Sequence, residues 1–391
     1  MSEGDNLIAM KSIGIITHYY NSKNYGGVLQ AYALCWFLKN QGYDAEQIQF
    51  DKEKGQSFKH WAGNRYREFL RLFDEIRYKK IYEQIRRREK AFKVFRDRQI
   101  PHSEKVFSQR TLKELAKEYK VFITGSDQVW HPNAVCDAYL LDFGVDNIKK
   151  ISYAASIAKN NLTECELKRY KKALLDYCAI SVRERDAVEI LQPIAPVCVK
   201  WVVDPVFLLR KTEWEKLIDK KLISDRYVFC YFLGSDGDAR ELAQEYAKNN
   251  NLKVKSIAFP NGEVNEWELD FGDESIADAS PENFVELIQG AEMVFTDSFH
   301  AMAFSLLFEK QFLVFKRDWH SSMESRIVSL AELFGVSDHF CNTKNKMTYD
   351  SIKNLMVIDY SKKFDRFEKM RTESIAFLLD SINNCVKEDK K

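Results

Sequence analysis

The chain has 391 residues, 45% of them hydrophobic and 30% charged, with 59 Lys and Arg against 58 Asp and Glu. A net charge of +1 provides no overall field to gather nucleic acid or another polyanion. The length exceeds one ordinary core, so two domains are expected. Its eight cysteines form no CxxC pair, which argues against a zinc or redox motif. No apolar leader and no run of about 18 apolar residues is present, so a protein of the reducing cytoplasm is expected.

After a polar lead over 1–11, Ser12–Thr17 reads as a short strand, followed by the loop His18–Gly27. A helix of about four turns then carries Val28, Ala31, Tyr32, Cys35 and Leu38 on one face and stops at Gly42. Ala45–Phe50 alternates as a second strand. Strand–loop–helix–strand is the opening of a doubly wound α/β domain. Between Arg65 and Arg98 stand 13 Lys/Arg and 6 Asp/Glu, with Phe69, Phe73, Ile76, Tyr82, Ile85, Phe92 and Phe95 at roughly helical spacing. This reads as a basic amphipathic helical insertion at about 60–100. A second reading is docking on an anionic membrane surface or on the phosphates of a lipid-linked substrate.

Val121–Thr124, Ile151–Ala155, Ala179–Val182 and Val199–Val203 are further strand candidates, with a helix at Thr163–Leu175; Asp204-Pro205 closes the half. The alternation then restarts. Strands are expected at Tyr227–Leu233, Leu252–Phe259, Met293–Thr296 and Gln311–Phe315. Helices are expected at Ala239–Lys248, Pro281–Gln289, His300–Phe308 and Glu324–Phe334, and a long final helix at Phe364–Val386. The fold class is therefore α/β: two Rossmann-like doubly wound domains facing a cleft, over 1–210 and 211–355. The segment 356–391 is expected to cross back onto the first domain.

In such sheets ligands bind at the carboxyl ends of strands, which selects four loops. In the first, Asn24, Tyr25 and Gly26 precede a helix whose backbone amides suit an anion; it is not GxGxxG, so a dinucleotide gains little support. In the second, Ser126, Asp127 and Trp130 suit a carbohydrate platform, an aromatic face for sugar CH groups and a carboxylate for hydroxyls. The third ends a strand with Arg183, which is suited to clamp a carboxylate or phosphate. In the fourth, Asp297 and Ser298 are N-cap candidates and His300 begins a helix, where the positive dipole end favours neutral imidazole and acid–base work. Lys316 and Arg326 lie downstream as cationic anchors. The competing structural readings are caps for Asp127 and Ser298, packing for Trp130 and a local ion pair for Arg183.

Taken together, Asn24-Tyr25-Gly26-Gly27-Val28-Leu29-Gln30-Ala31-Tyr32-Ala33-Leu34, GSDQVW at 125–130, SYAAS at 152–156, SVRE at 181–184, VDPVFLL at 203–209 and TDSFHA at 296–301 resemble the polysaccharide pyruvyl transferase family, over about 12–335. The resemblance implies a GT-B-like fold with an interdomain site, the first domain on the acceptor side and the second on the donor side. It implies phosphoenolpyruvate as donor and co-substrate, no cofactor and no metal, and a glycan or lipid-linked sugar as acceptor. The product would be a pyruvate ketal of a cell-surface polysaccharide, such as an exopolysaccharide or capsule, made in the cytoplasm or at the inner face of the membrane. His300 becomes the acid–base residue, with Arg183 and Arg326 for the donor's carboxylate and phosphate. Many relatives carry Arg two positions before this histidine. Here that position is Ser298, so Lys316 or Arg326 would have to supply the missing cation. The competing readings are a GT-B glycosyltransferase using a nucleotide sugar and a non-catalytic glycan-binding protein. The pyruvyl-transfer reading requires residues 183 and 300 to converge on one crevice.

Overall fold

The computed structural model describes residues 11–54, 73–219, 225–317, 324–341, 347–362 and 364–387. The lead over 1–10 and the first part of the basic stretch, including Phe69, lie outside them. Two parallel sheets organise the chain. The first contains β1 (Lys11–Ile16), β2 (Ala45–Phe50), β3 (His102–Phe107), β4 (Tyr119–Thr124), β5 (Lys149–Ala155), β6 (Tyr177–Val182) and β7 (Val199–Trp201), in the order β3-β2-β1-β4-β5-β6-β7. The second contains β8 (Tyr227–Tyr231), β9 (Lys253–Ile257), β10 (Glu274–Ile276), β11 (Met293–Thr296), β12 (Gln311–Phe315) and β13 (Phe340–Cys341), in the order β10-β9-β8-β11-β12-β13. Both orders reverse once, between β1 and β4 and between β8 and β11, and that reversal opens a crevice for ligands. Central strands are continuous apolar runs, as at Val121-Phe122-Ile123 and Val228-Phe229-Cys230, because helices cover both faces.

The sequence pattern passes over β3, β10 and β13. All three are edge strands, and two of them are partly wet, so alternation and apolarity are weak there.

Helix α1 (Tyr25–Asn40) packs between the domains. Its first residue, Tyr25, stacks on Phe284 of the second domain at 4.8 Å and donates its hydroxyl to the Ala279 carbonyl at 2.8 Å. Helix α2 (Lys79–Gln99) buries Tyr82, Ile85, Arg88, Phe92 and Phe95. It spans the junction: Arg96 donates to the Ser22 carbonyl, whereas Arg88 donates to the carbonyls of Ala258 and Phe259 in the second domain. Part of the basic stretch thus serves interdomain hydrogen bonds. Phe73 and Ile76 do not join its apolar stripe; they are 61% and 76% exposed.

After α2 follow α3 (Glu164–Leu174), α4 (Gly237–Asn249), α5 (Pro281–Gly290), α6 (Phe299–Leu307) and α7 (Glu324–Phe334). Helix α8 (Asp365–Lys387) lies against β4, β5 and β6 of the first sheet. Ser374 accepts from the Val203 amide, and Arg371 donates to the carbonyls of Phe207 and Leu208, tying this helix to the segment that joins the domains.

Candidate active site

Strand ends from both sheets deliver charged side chains to the same junction. Arg183 follows β6 and is 4% exposed. Its Nη1 donates to Asp204 Oδ2 at 2.7 Å, its Nη2 lies 3.6 Å from Asp127 Oδ1, and its guanidinium sits 4.6 Å from the centre of the Phe299 ring. Its Nε and Nη2 have no hydrogen-bond partner among the described residues. Burial opposes its charge, but Asp204 and Asp127 outweigh burial and raise its pKa.

Asp204 is fixed on every side. Oδ1 accepts the Val206 amide, and Oδ2 accepts Ser126 Oγ at 3.1 Å as well as Arg183. Burial alone would raise its pKa; His300 and Arg183 together hold it well below the usual carboxylate range.

His300 comes from the other domain, at the second position of α6. Ser298 caps that helix, accepting the Ala301 amide. The ring is 6% exposed and lies directly on Gly26 of α1: a Cβ there would sit 1.9 Å from His300 Nδ1. Only glycine permits this approach. Nε2 points toward Asp204 Oδ2 at 3.7 Å, beyond hydrogen-bond length, and has no partner among the described residues.

Arg326, on α7, completes the cationic group. It is 8% exposed, 5.9 Å from the Phe299 ring, with Nε unpartnered among the described residues. Burial and then repulsion from Arg183 hold its pKa down to about 10. Asp127 follows β4 beside Gly27, whose Cβ would lie 3.3 Å from Oδ2. Burial raises its pKa, yet Arg183, His300, His18 and Arg326 outweigh burial and lower it. Buried Glu184 is raised by burial, and its Oε1 accepts Ser156 Oγ and the Ala158 amide.

The structure thus brings together Arg183, Asp127, Arg326 and His300. Other candidates take different places. Trp130 is fully buried and donates its indole N–H to the Tyr139 carbonyl, so its faces pack the core and no sugar can stack on them. Asp297 does not cap α6: its carboxylate accepts the amides of Leu233 and Gly234 and tethers the turn after β8. Lys316 pairs with Glu324 at 2.6 Å, whereas the neighbouring Arg317 contacts Asp297 and adds its charge to that around Arg326. Asn24 caps α1 by accepting the Gly27 amide, and Tyr25 is an interdomain packing residue. Ser126 is buried and steadies Asp204. The sequence reading assigned no role to Asp204, Phe299 or Arg317. For Asp204 the available signal was its place beside Pro205 directly after a strand, and for Phe299 its adjacency to His300.

A family model for polysaccharide pyruvyl transferase matches residues 24–318. The chain belongs to the polysaccharide pyruvyl transferase family. That span holds Arg183, Asp127, Asp204 and His300, and ends before Arg326. No curated protein matches in sequence. Among solved structures, the UDP-GlcNAc 2-epimerase from Methanocaldococcus jannaschii is similar with a TM-score of 0.53 at 12% identity, covering 95% of this chain and 99% of that one. S. aureus MnaA, in a co-structure with UDP, gives 0.52 at 10%, covering 92% and 91%. The wall teichoic acid polymerase TagF gives 0.50 at 12%, covering 97% and 90%. At such identities the likeness shows the fold alone, that of GT-B glycosyltransferases and epimerases.

The junction around Arg183 and Arg326 is nearly closed. Beside Arg183, Asp204, Phe299 and Arg326 a cavity of ≈ 20 Å³ remains, room for about one water. A larger hollow of ≈ 520 Å³ lies elsewhere, lined by Phe207, Leu306, Phe334, Phe364 and Arg371 at the far end of α6.

Proposed function

We propose that the protein transfers a pyruvyl group from phosphoenolpyruvate to a pair of hydroxyls on a sugar of a cell-surface polysaccharide precursor. Membership of the family supports a transferase acting on polysaccharide. One observation favours the donor: Arg183 Nε and Nη2, Arg326 Nε and His300 Nε2 are buried nitrogens without partners among the described residues, drawn from both domains around one junction. A compact anion bound there would satisfy these donors and relieve the repulsion between Arg183 and Arg326.

In this reading the two guanidiniums hold the donor's carboxylate and phosphate, and Arg326 takes the part of the cation absent at Ser298. His300 protonates the donor's methylene carbon, C3. The adjacent C2 becomes cationic, a sugar hydroxyl attacks it, and His300 recovers a proton from that hydroxyl. Asp204 fixes Arg183 and faces the imidazole, but both its oxygens already accept hydrogen bonds, so it positions rather than exchanges protons. Phosphate leaves with the C2–O electron pair, and a second hydroxyl closes the ketal. Entry of the donor requires the two domains to part at this junction.

The test compares phosphate release from phosphoenolpyruvate with and without methyl hexopyranosides of gluco, galacto and manno configuration, each of which carries a 4,6-diol. UDP-glucose serves as the control donor. Release that depends on both donor and diol is expected; turnover of the nucleotide sugar alone would replace this reading by glycosyl transfer. No helix among the described residues is long and apolar enough to cross a membrane. Exposed Phe73 and Ile76 beside Arg77, Lys79 and Lys80 support peripheral docking on an anionic bilayer, which flotation with and without anionic lipid would test.

A further inference from the structure

We infer that Asp127 is the general base for the second hydroxyl, the one whose attack closes the ketal ring. This inference rests on the pyruvyl-transfer reading. The proton balance leaves a place for such a group. Ketal formation breaks the C2–O bond to phosphate, forms two C–O bonds at C2 and adds one proton to C3. Two hydroxyl protons are released. One replaces the proton that His300 gave to C3, and the other needs a second acceptor on the protein or leaves on the departing phosphate.

Asp204, Glu184 and Asp127 bring carboxylates to the junction, and Asp127 is the most accessible of the three. Asp204 is 2% exposed and spends both oxygens on Val206, Ser126 and Arg183. Glu184 is 1% exposed; Ser156 and the Ala158 amide take Oε1, and Oε2, without a partner among the described residues, is closed off by burial from an incoming sugar. Asp127 is 8% exposed, and its charged contact, Arg183 Nη2, is 3.6 Å away. Among the described residues no hydrogen bond takes up its carboxylate, so that carboxylate can meet a hydroxyl.

The backbone directs it there. Asp127 has φ 67, the left-handed region that non-glycine residues seldom adopt. Its carbonyl is pinned by the amides of Val129 and Ser156, at 2.8 and 3.0 Å, and this turn carries the carboxylate to Gly27. The consecutive glycines therefore seat two proton-transfer groups side by side, His300 over Gly26 and Asp127 over Gly27, at the positive end of α1. A hydroxyl becomes strongly acidic as its oxygen bonds to a cationic carbon, so a weakly basic carboxylate suffices for this step.

Without that base the cationic intermediate has another exit. Its methyl group loses a proton to the departing phosphate, His300 having already recovered its own, and this leaves an open-chain enolpyruvyl ether of the same mass as the ketal. Proton NMR separates the two, since the ether has vinyl protons and the ketal a methyl singlet. The experiment uses the full chain, phosphoenolpyruvate and whichever methyl hexopyranoside supports the fastest phosphate release by the wild type. In Asp127→Asn the ratio of methyl to vinyl product is expected to fall at least about tenfold. Asp127→Glu, which keeps the carboxylate, should restore mainly methyl product. An unchanged product ratio in Asp127→Asn overturns the assignment. So does loss of phosphate release in both variants, which would place Asp127 before ring closure. If the wild type releases no phosphate with any of the glycosides, the pyruvyl-transfer reading itself fails, and this inference with it.

Discussion

Adding one methyl group to Gly26 should disable the enzyme without unfolding it. In Gly26→Ala the new Cβ would stand 1.9 Å from His300 Nδ1, 2.3 Å from Cγ and 2.5 Å from Cε1. Ordinary contact begins near 3.4 Å, so the imidazole must retreat by about 1.5 Å or the two domains must separate by as much. A misplacement of ~1 Å at a reacting group costs about 10²-fold in rate, and complete loss of an acid–base group costs about 10²–10⁴-fold. Stability should respond less. Overpacking costs about 1–3 kcal/mol, and replacing a helical glycine by alanine returns about 1 kcal/mol, for a net loss of roughly 0–2 kcal/mol. The control is Gly237→Ala at the start of α4, where nothing lies within 4 Å of the added Cβ and no loss is expected. Phosphate release from phosphoenolpyruvate with the best diol acceptor measures the rate, and urea unfolding measures stability. If Gly26→Ala retains activity within about threefold, the imidazole does not need its present seat and the argument fails.

Other outcomes follow from the same geometry. His300→Ala should lower turnover by about 10²–10⁴-fold while the chain still unfolds cooperatively in urea; near-normal turnover excludes it as the acid–base residue. Arg183→Met should cost about 3–5 kcal/mol in urea unfolding because it leaves Asp204 buried without its partner, and adding Asp204→Asn should recover part of that loss. Asp127 and Asp204 have folded pKa values below their unfolded ones, so each contributes stability above about pH 4 that is lost as pH falls through the folded value. Glu184 is raised and acts with the opposite sign, losing stability as pH rises through its folded value. The urea midpoint should therefore drop steeply between about pH 5 and pH 2, and less steeply in Arg183→Met. Arg88→Met removes two interdomain hydrogen bonds to Ala258 and Phe259, each worth about 1.5–3 kcal/mol for a charged donor; equal stability would deny α2 its part in holding the domains together.

The sequence displays the two-domain alternation because the central strands are unbroken apolar runs and the loops that follow them are polar. The same rule located Arg183, Asp127 and His300, since strand ends are where charged side chains interrupt such runs. Edge strands such as β3 and β10 lack that contrast and stay hidden. Gly26 shows a different limit: its neighbour is 274 positions away in the chain, and nothing in NYGG says that an imidazole rests on it. Trp130 was misread because an aromatic residue after a polar turn has the same pattern whether its ring faces solvent or, as here, the Tyr139 carbonyl in the core. Asp204 was passed over because an Asp before Pro is ordinarily a turn residue, and its partners Arg183, Ser126 and His300 come from three separate segments.

A crystal structure with phosphoenolpyruvate bound would test most directly whether the two domains share one donor. The account places the carboxylate and phosphate against Arg183 and Arg326, with the methylene carbon facing His300 Nε2. Donor density in the larger hollow beside Phe334 and Phe364, with Arg183 still facing only Asp204 and Asp127, would contradict it.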